Sequence, residues 1–163
     1  MASIADLPLK YRLFLRAYRY RRLTPCPWSP PVRPLGECRV ALITSAAFYL
    51  PEQQAFDEKA RGGDPSYRIL PARASPERLS GLRIGQRSGA FDPSGIESDF
   101  NLALPTERFR ELEEDGTIGR LHDDALSFMG SVTAPIRLVK DSAPEAARRL
   151  RAAGVDVAFL CPV

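Results

Sequence analysis

The chain has 163 residues, a net charge of +3, and 44% hydrophobic and 26% charged residues, which is typical of one soluble globular domain and excludes a disordered tail. No apolar run approaches the roughly 18 residues that cross a bilayer, and the basic N-terminus lacks the apolar stretch of a secretory signal. The three cysteines, Cys26, Cys38 and Cys161, form neither a disulfide framework nor a metal motif, so we expect a cytoplasmic protein.

Positive charge is concentrated in the N-terminal part of the chain. Residues 1–39 hold eight Lys or Arg and two acidic residues, giving +6, whereas the rest of the chain sums to −3. Within this part the arginines are interleaved with leucines and aromatic residues, which predicts a basic helical arm over residues 1–24 with one apolar face. We expect the arm to pack on its own body or on a partner. Nucleic-acid binding is the less favoured alternative, and no membrane binding is expected.

Five prolines within residues 24–34 exclude a helix or an internal strand and predict an extended strap held by Trp28. The following run, residues 39–45, is apolar and β-branched and ends in small polar residues, as a buried parallel strand does. Residues 51–105 are rich in glycine and proline and predict only short strands, at 67–70 and 100–104.

The last third of the chain shows clearer periodicity. Thr106 is predicted to cap a helix that Asp115 and Gly116 end. Residues 142–145 match a capping box that opens a helix to Ala153, after which residues 155–160 predict another buried strand. The order of elements predicts a single α/β domain over residues 25–163 with a mainly parallel sheet, preceded by the basic helix and the strap.

Several common sites are absent from the sequence. It contains no phosphate-binding glycine loop of the Walker or dinucleotide type, and no G-x-S-x-G nucleophile motif. One histidine and no C-x-x-C pair exclude a zinc cluster. These absences leave the polar residues near the predicted strands as the remaining candidates for a site.

Polar residues follow the predicted strands at the positions where α/β sheets hold their ligands. Thr44 and Ser45 end the first strand and are candidate substrate-binding residues, and Cys161 ends the last one. Cys161 is either a nucleophile, which requires a partly exposed thiol with a lowered pKa, or a small buried apolar residue.

Three further residues are weaker candidates for substrate binding. His122 precedes Asp123 and Asp124 in a predicted loop, where the carboxylates favour imidazolium, and a surface or capping histidine is the alternative. Asp99 and Asn101 flank Phe100, and capping of a turn is the preferred interpretation of both.

Eight short segments together resemble the selenoprotein B family over residues 25–163. This family comprises the glycine, sarcosine and betaine reductases and the small selenoprotein subunit of D-proline reductase, and the chain is more similar to the proline-reductase branch. The segments are 27–30 with Pro34 and Leu35, 39–45, 63–68, 99–101, Pro105 with Arg108 and 111–112, 116–119, 127–130 and 154–156.

The resemblance implies a subunit of an oxidoreductase that reductively cleaves a carbon–nitrogen bond of an amino acid or amine, with a dithiol as electron donor. The family's reactive selenocysteine lies just after the strand that corresponds to residues 155–160. Since UGA encodes selenocysteine and is also read as stop, we expect that residue at position 164, with Cys161 as a candidate resolving thiol. No cofactor is expected in this chain, no metal either, and a pyruvoyl group is implied on a partner reductase subunit.

Two alternatives remain open. The chain is a non-catalytic binding or assembly subunit of the same fold if it lacks the redox residue, and it is an enzyme only if it continues past Val163. The other alternative is a small nucleic-acid-binding protein that uses the basic arm. A steep salt dependence of binding would identify it.

Overall fold

The fold was analysed in a computed structural model that describes residues 4–18, 24–25, 29–85, 88 and 91–163. The chain divides into two compact units, Met1–Pro30 and Pro31–Val163. Trp28, Cys26 and residues 19–23, which the sequence assigns to the strap and the basic arm, lie outside the described residues.

The first unit contains the predicted helix, α1, at Leu9–Ala17. No residue of α1 is buried, and the side chains of Leu9, Leu13 and Phe14 are all more than half exposed. The helix therefore presents apolar and basic side chains to its surroundings together.

The second unit is built on a sheet of five strands, four of which run parallel. The strands of this sheet are β1 Arg39–Thr44, β3 Tyr67–Pro71, β5 Arg120–Leu121, β6 Asp124–Phe128 and β7 Val157–Cys161. β3 is antiparallel to β6, whereas β5, β6 and β7 all run parallel to β1. The predicted α/β class with a mainly parallel sheet is confirmed.

β1 lies at the centre of this sheet. β7 pairs with it from Val40 to Thr44, so β5 and β6 share its other edge, β5 beside Arg39 and β6 beside Ile43. The alternating side chains of β1 enter two separate cores, because successive residues of a strand point to opposite faces. Val40 and Leu42 join the larger core, and Ala41 joins a smaller one.

Short elements surround the sheet. A separate two-stranded ribbon consists of β2 Phe48–Tyr49 and β4 Arg83–Ile84. The helices of the second unit are α2 Pro76–Leu79, α3 Ser94–Ser98, α4 Thr106–Glu114 and α5 Ala143–Ala152, with 3₁₀ turns at Leu35–Glu37 and Phe100–Leu102. No helix among the described residues is long and apolar enough to cross a membrane.

The strand predicted over residues 100–104 is wrong. Phe100–Leu102 is a 3₁₀ turn, because the Asp99 carboxylate accepts a hydrogen bond from the backbone N–H of Asn101 and folds the chain back on itself. The sequence analysis also missed β6, and Asp124, its first residue, belongs to the loop predicted around His122.

The two predicted helix caps are wrong as well. Pro105 and not Thr106 precedes α4, and the amide side chain of Asn101 accepts the hydrogen bond from the Glu107 N–H at 3.1 Å. Gly116, with φ of 77°, follows the end of α4 as predicted.

Ser142 does not open a helix. The backbone is already helical before it, and Leu138–Ser142 forms a π-helical turn that runs into α5, with the Ala143 N–H donating to the Leu138 carbonyl. Pro144 explains this geometry, because a proline inside an α-helix has no N–H to donate and collides with the carbonyl four residues earlier. The wider turn avoids that collision.

β7 is an exposed edge strand and not the predicted buried one. Phe159 is 46% exposed and Leu160 is 66% exposed, and among the described residues only β1 pairs with β7. One edge of its backbone and part of both its faces are therefore uncovered.

Candidate functional site at the carboxyl edge of the sheet

Three polar residues form a row across the carboxyl ends of the parallel strands. Thr44 of β1 is in register with Ser127 of β6 on one side and with Cys161 of β7 on the other. Thr44 and Ser127 are fully buried, and Cys161 is partly exposed. The structure thus brings together two of the predicted site residues and adds Ser127, in the place where open α/β sheets bind ligands.

Ser45 ties the residues after β1 and β7 to each other. Its backbone N–H donates to the Cys161 carbonyl at 3.2 Å, and its hydroxyl accepts a hydrogen bond from the Val163 N–H at 2.9 Å. Gly130, which follows β6, approaches so closely that a Cβ atom there would lie 3.0 Å from the Ser45 carbonyl. The chain segments that leave β1, β6 and β7 therefore meet at one point.

The backbone next to this point is strained. Ala47 and Ser131 have φ values of 55° and 53°, in the left-handed region that residues with a Cβ rarely adopt. The two residues lie a few positions beyond the ends of β1 and β6, and Ala46 and Met129 form an antiparallel bridge between them. Strain of this kind is concentrated at functional sites.

The hydrogen bonds of the two hydroxyls and the protonation of the thiol limit the chemistry of the row. The Thr44 hydroxyl accepts a hydrogen bond from the Ala46 N–H at 3.1 Å, while the buried Ser127 hydroxyl has no partner in the described part of the chain. Burial raises the pKa of the Cys161 thiol. Cys161 is therefore a protonated thiol at neutral pH and not a thiolate nucleophile.

An apolar groove of about 550 Å³ opens beside Cys161. Its floor is the sheet face that carries Ile43 and Leu160, and its wall is the small-residue face of α5 with Ala143, Ala146 and Ala147. The groove is large enough for a small molecule or for apolar side chains of another polypeptide.

The side chains of Asp99 and Asn101 stabilise the local structure around them. The Asp99 carboxylate holds the 3₁₀ turn, and Asn101 both accepts from the Glu107 N–H and donates to the Glu107 carboxylate at 3.0 Å. These bonds agree with the preferred interpretation, turn capping, for both residues.

His122 lies at the other end of the strands. It connects β5 to β6, and its backbone N–H donates to the Val40 carbonyl at 2.7 Å. Val40 and Thr44 are four positions apart along β1, which places His122 roughly 13 Å from the polar row. The loop predicted for it is present, but its surface position is wrong, because His122 is only 8% exposed. The imidazolium form is not favoured either, because burial lowers the pKa of His122 despite Asp124 and Asp123.

Sequence reasoning missed Ser127, Met129 and Gly130 as site residues because it did not recognise β6. The available signal was residues 125–129, a short, mainly apolar run that lies between two aspartates and a glycine, as a buried strand does. In the described residues, no group of three or more His, Cys, Asp or Glu side chains is placed to hold a metal ion.

The profile of the glycine/sarcosine/betaine reductase selenoprotein B family matches residues 9–162. The chain belongs to this family.

Individual relatives are subunits of reductase complexes. The chain is 29% identical over 147 residues to the D-proline reductase subunit gamma of Acetoanaerobium sticklandii, an alignment that covers 90% of this chain and 57% of the relative. It is 28% identical over 134 residues to the glycine reductase complex component B subunit gamma of Symbiobacterium thermophilum, covering 82% and 30%. It is 31% identical over 80 residues to the betaine reductase complex component B subunit beta of Peptoclostridium acidaminophilum, covering 49% and 18%.

The chain spans little more than half the length of the D-proline reductase subunit and about a third of the glycine reductase subunit. No solved structure matches the chain.

Proposed function

We propose that the protein is a subunit of a reductase complex that cleaves a carbon–nitrogen bond of an amino acid or amine. The family membership supports the complex, and one structural observation supports the chemistry: Ser45, Gly130 and Cys161–Val163 meet at the carboxyl edge of the parallel strands. A reactive group placed there has an apolar groove on one side and buried hydroxyls on the other.

The proposed redox residue is a selenocysteine that directly follows Val163. Because the Val163 N–H is bonded to the Ser45 hydroxyl, a residue that follows Val163 would begin at this same edge. The relatives extend well beyond the matched region, and the uncovered edge of β7 offers a place for further polypeptide to pair. Among the described cysteines, Cys161 lies at this edge, and its thiol is not activated because burial raises its pKa.

The proposed reaction proceeds in three balanced steps. The selenolate attacks the substrate carbon, a selenium–carbon bond forms, and the amine leaves with the electron pair of the carbon–nitrogen bond and gains a proton. A thiol, for which Cys161 is the candidate, then attacks selenium and loses its proton as the selenium–sulfur bond forms. The carbon leaves with the electron pair of the selenium–carbon bond and gains that proton. An external dithiol reduces the selenium–sulfur bond and is itself oxidised to a disulfide.

The nucleotides after the Val163 codon test this proposal. A UGA codon followed by an open frame supports a selenoenzyme subunit, and an in-frame UAA or UAG codon overturns the selenocysteine assignment.

A partner reductase subunit that carries a pyruvoyl group, together with a thiol electron donor, completes the proposed complex. The exposed apolar and basic side chains of α1 form the proposed docking element in this cytoplasmic assembly. Deletion of residues 1–22 tests this role in co-purification with the other complex subunits: we expect loss of the partner, and unchanged assembly would contradict the docking role.

The second candidate is a binding or assembly subunit without redox chemistry, and the raised pKa of the Cys161 thiol favours it if no selenocysteine follows. Iodoacetamide labelling of the 163-residue chain between pH 7 and 10 examines the thiol directly. We expect Cys161 to react more slowly than free cysteine at pH 7, with its midpoint shifted upward. Labelling that is faster than that of free cysteine would contradict the protonated state and restore a thiolate catalyst. Cys26 and Cys38 are replaced by serine and alanine in all samples, so that only Cys161 is read.

A further inference from the structure

A polar cavity of about 420 Å³ lies at the amino ends of the parallel strands, at the other end of the sheet from the carboxyl-edge row. Its lining comes from the strap, the starts of β1 and β5, and the segment between α5 and β7. The charged residues of this lining are Arg33, Arg39, Arg120, Glu37 and Asp156. The other lining residues are small, so the space between the charges stays open: Gly36, Cys38, Gly119 and Gly154.

Two of the arginines, Arg39 and Arg120, lie side by side. They are partners in register at the starts of β1 and β5, which run parallel. The next pair in register, Val40 and Leu121, is buried in the larger core. Because side chains alternate along a strand, Arg39 and Arg120 both point to the opposite face of the sheet. Like charges on neighbouring strands repel each other, and a bound anion would remove that repulsion.

The guanidinium of Arg39 is oriented but not neutralised. Its Nη1 donates to the Ala153 carbonyl at 2.6 Å, at the end of α5, which carries only a fraction of a negative charge. The nearby Asp156 carboxylate accepts a hydrogen bond from the backbone N–H of Arg39, at 2.9 Å, and not from its side chain. Among the described residues the Arg39 side chain therefore has no carboxylate partner, and its position is fixed before any ligand arrives.

The other two arginines keep N–H groups for a ligand. Arg33 contacts the Asp156 carboxylate through Nε at 3.3 Å, and Arg120 contacts Asp123, outside the cavity, through Nη2 at 2.9 Å. Within the described part of the chain, neither Nη atom of Arg33 nor Nη1 of Arg120 has a hydrogen-bond partner. A guanidinium has five N–H donors, so both side chains can bind an anion without losing these ion pairs.

We propose that this cavity binds the phosphate group of a small phosphorylated molecule that also carries hydroxyl groups. Guanidinium groups form paired, charge-assisted hydrogen bonds with phosphate oxygens, and a dianion interacts with two adjacent guanidiniums more strongly than a monoanion does. The cavity is larger than a phosphate group and leaves room for an organic part. Glu37, whose carboxylate has no partner among the described residues, can accept a hydrogen bond from a hydroxyl of that part.

The cavity is separate from the redox edge. Arg39 and Thr44 are five positions apart along β1, which places the two sites roughly 16 Å from each other. Ligands of open α/β sheets usually lie beyond the carboxyl ends of the strands, whereas this cavity lies at the amino ends. A phosphorylated molecule bound here would not touch Cys161. The inference concerns binding alone, goes beyond the proposed reductase chemistry and does not depend on it.

An NMR titration of the 163-residue chain at pH 7.5 and constant ionic strength tests the inference. The probes are glycerol 3-phosphate and inorganic phosphate, which are mainly dianions at this pH, acetate with one charge, and glycerol with none. We expect glycerol 3-phosphate to shift the amide signals of residues 36–39, 119–120 and 154–156 and to saturate them with a Kd of about 0.1–5 mM. Inorganic phosphate should bind several-fold more weakly, and acetate at least about tenfold more weakly. No saturable shift with either phosphate, or equal binding of acetate, would overturn the proposal. Inorganic phosphate that binds as tightly as glycerol 3-phosphate would overturn the assignment of Glu37 to a hydroxyl.

Matched variants show whether the cavity is the binding site. Arg33→Gln and Arg120→Gln each remove one exposed positive charge from the cavity, and Arg148→Gln removes an exposed positive charge elsewhere, on α5. We expect glycerol 3-phosphate to bind about tenfold more weakly to the first two variants and unchanged to the third, because only the first two lose hydrogen bonds to a charged group. Equal weakening in all three would overturn the assignment and indicate a general effect of net charge. The series of probes on the wild-type chain needs no variant, so it tests the proposal even where a variant fails to fold.

Discussion

At His122, two opposing effects act on one side chain. Burial disfavours the charged ring and lowers its pKa, while Asp124 and Asp123 raise it and Arg39 and Arg120 lower it further. The sequence shows the two carboxylates but not the burial, and so it predicted the wrong charge state. The same reason applies to Cys161, whose reactivity depends on its surroundings and not on its position at a strand end.

The lowered pKa of His122 predicts a loss of stability in acid. The ordinary pKa of histidine is 6.5, and well above this pH neither the folded nor the unfolded chain is protonated at His122. As the pH falls through 6.5, only the unfolded chain gains a proton. The free energy of unfolding therefore falls. The loss ends below the folded-state pKa. Urea unfolding of the wild type and of His122→Gln at pH 7.5, 6.5 and 5.5 measures the difference, and we expect the wild type to lose more.

A direct control is available because the chain has a single histidine. Its ring protons give one NMR titration curve, and a midpoint at or above 6.5 would contradict the account even if His122→Gln fails to fold.

Among the secondary-structure elements, those with strong periodicity were predicted correctly and those governed by tertiary contacts were not. β1 and the body of α4 follow from their own sequences. The sequence at Ser142 predicts the start of a helix, but the backbone is already helical there. A π-helical turn precedes α5 and accommodates Pro144. β6 escaped recognition since a histidine and two aspartates precede its apolar core.

The start of α4 provides a test of two neighbouring polar residues. Asn101→Ala removes the side chain that accepts from the Glu107 N–H, and we expect a loss of about 1 kcal/mol in the free energy of unfolding. Thr106→Val removes a buried hydroxyl that has no partner in the described residues, and we expect a change of about 0.5 kcal/mol or less, or a gain. Chemical denaturation measures both, and a larger loss for Thr106→Val than for Asn101→Ala would refute this assignment of the cap.

For the whole molecule, the sequence indicated the α/β class and the carboxyl edge as the place for a site, because the order of strands and helices determines both. It could not indicate that β7 lies at an open edge, since pairing depends on which segments lie next to it in space. The carboxyl-edge row was predicted in part, through Thr44, Ser45 and Cys161, and Ser127 was missed because the sequence analysis did not recognise β6.

The open edge of β7 predicts self-association of the 163-residue chain. Unpaired strand edges with exposed apolar side chains attract further strands, and Leu160 is the most exposed residue of β7 among the large apolar ones. We expect light scattering after size-exclusion chromatography to show concentration-dependent association that Leu160→Lys reduces. Val32→Lys, at an exposed apolar residue outside the sheet, is the matched control and should leave association unchanged. A wild-type chain that stays monomeric at high concentration would contradict self-association through the edge of β7.

Mass spectrometry of the native protein, purified from the cells that make it, tests the central claim most directly. Trypsin cleaves after Arg151, so one peptide begins at Ala152 and contains Cys161 and Val163. We predict that this peptide continues past Val163 and carries the isotope pattern of one selenium atom. A native peptide that ends at Val163, or one that continues without selenium, would contradict the assignment of the redox residue.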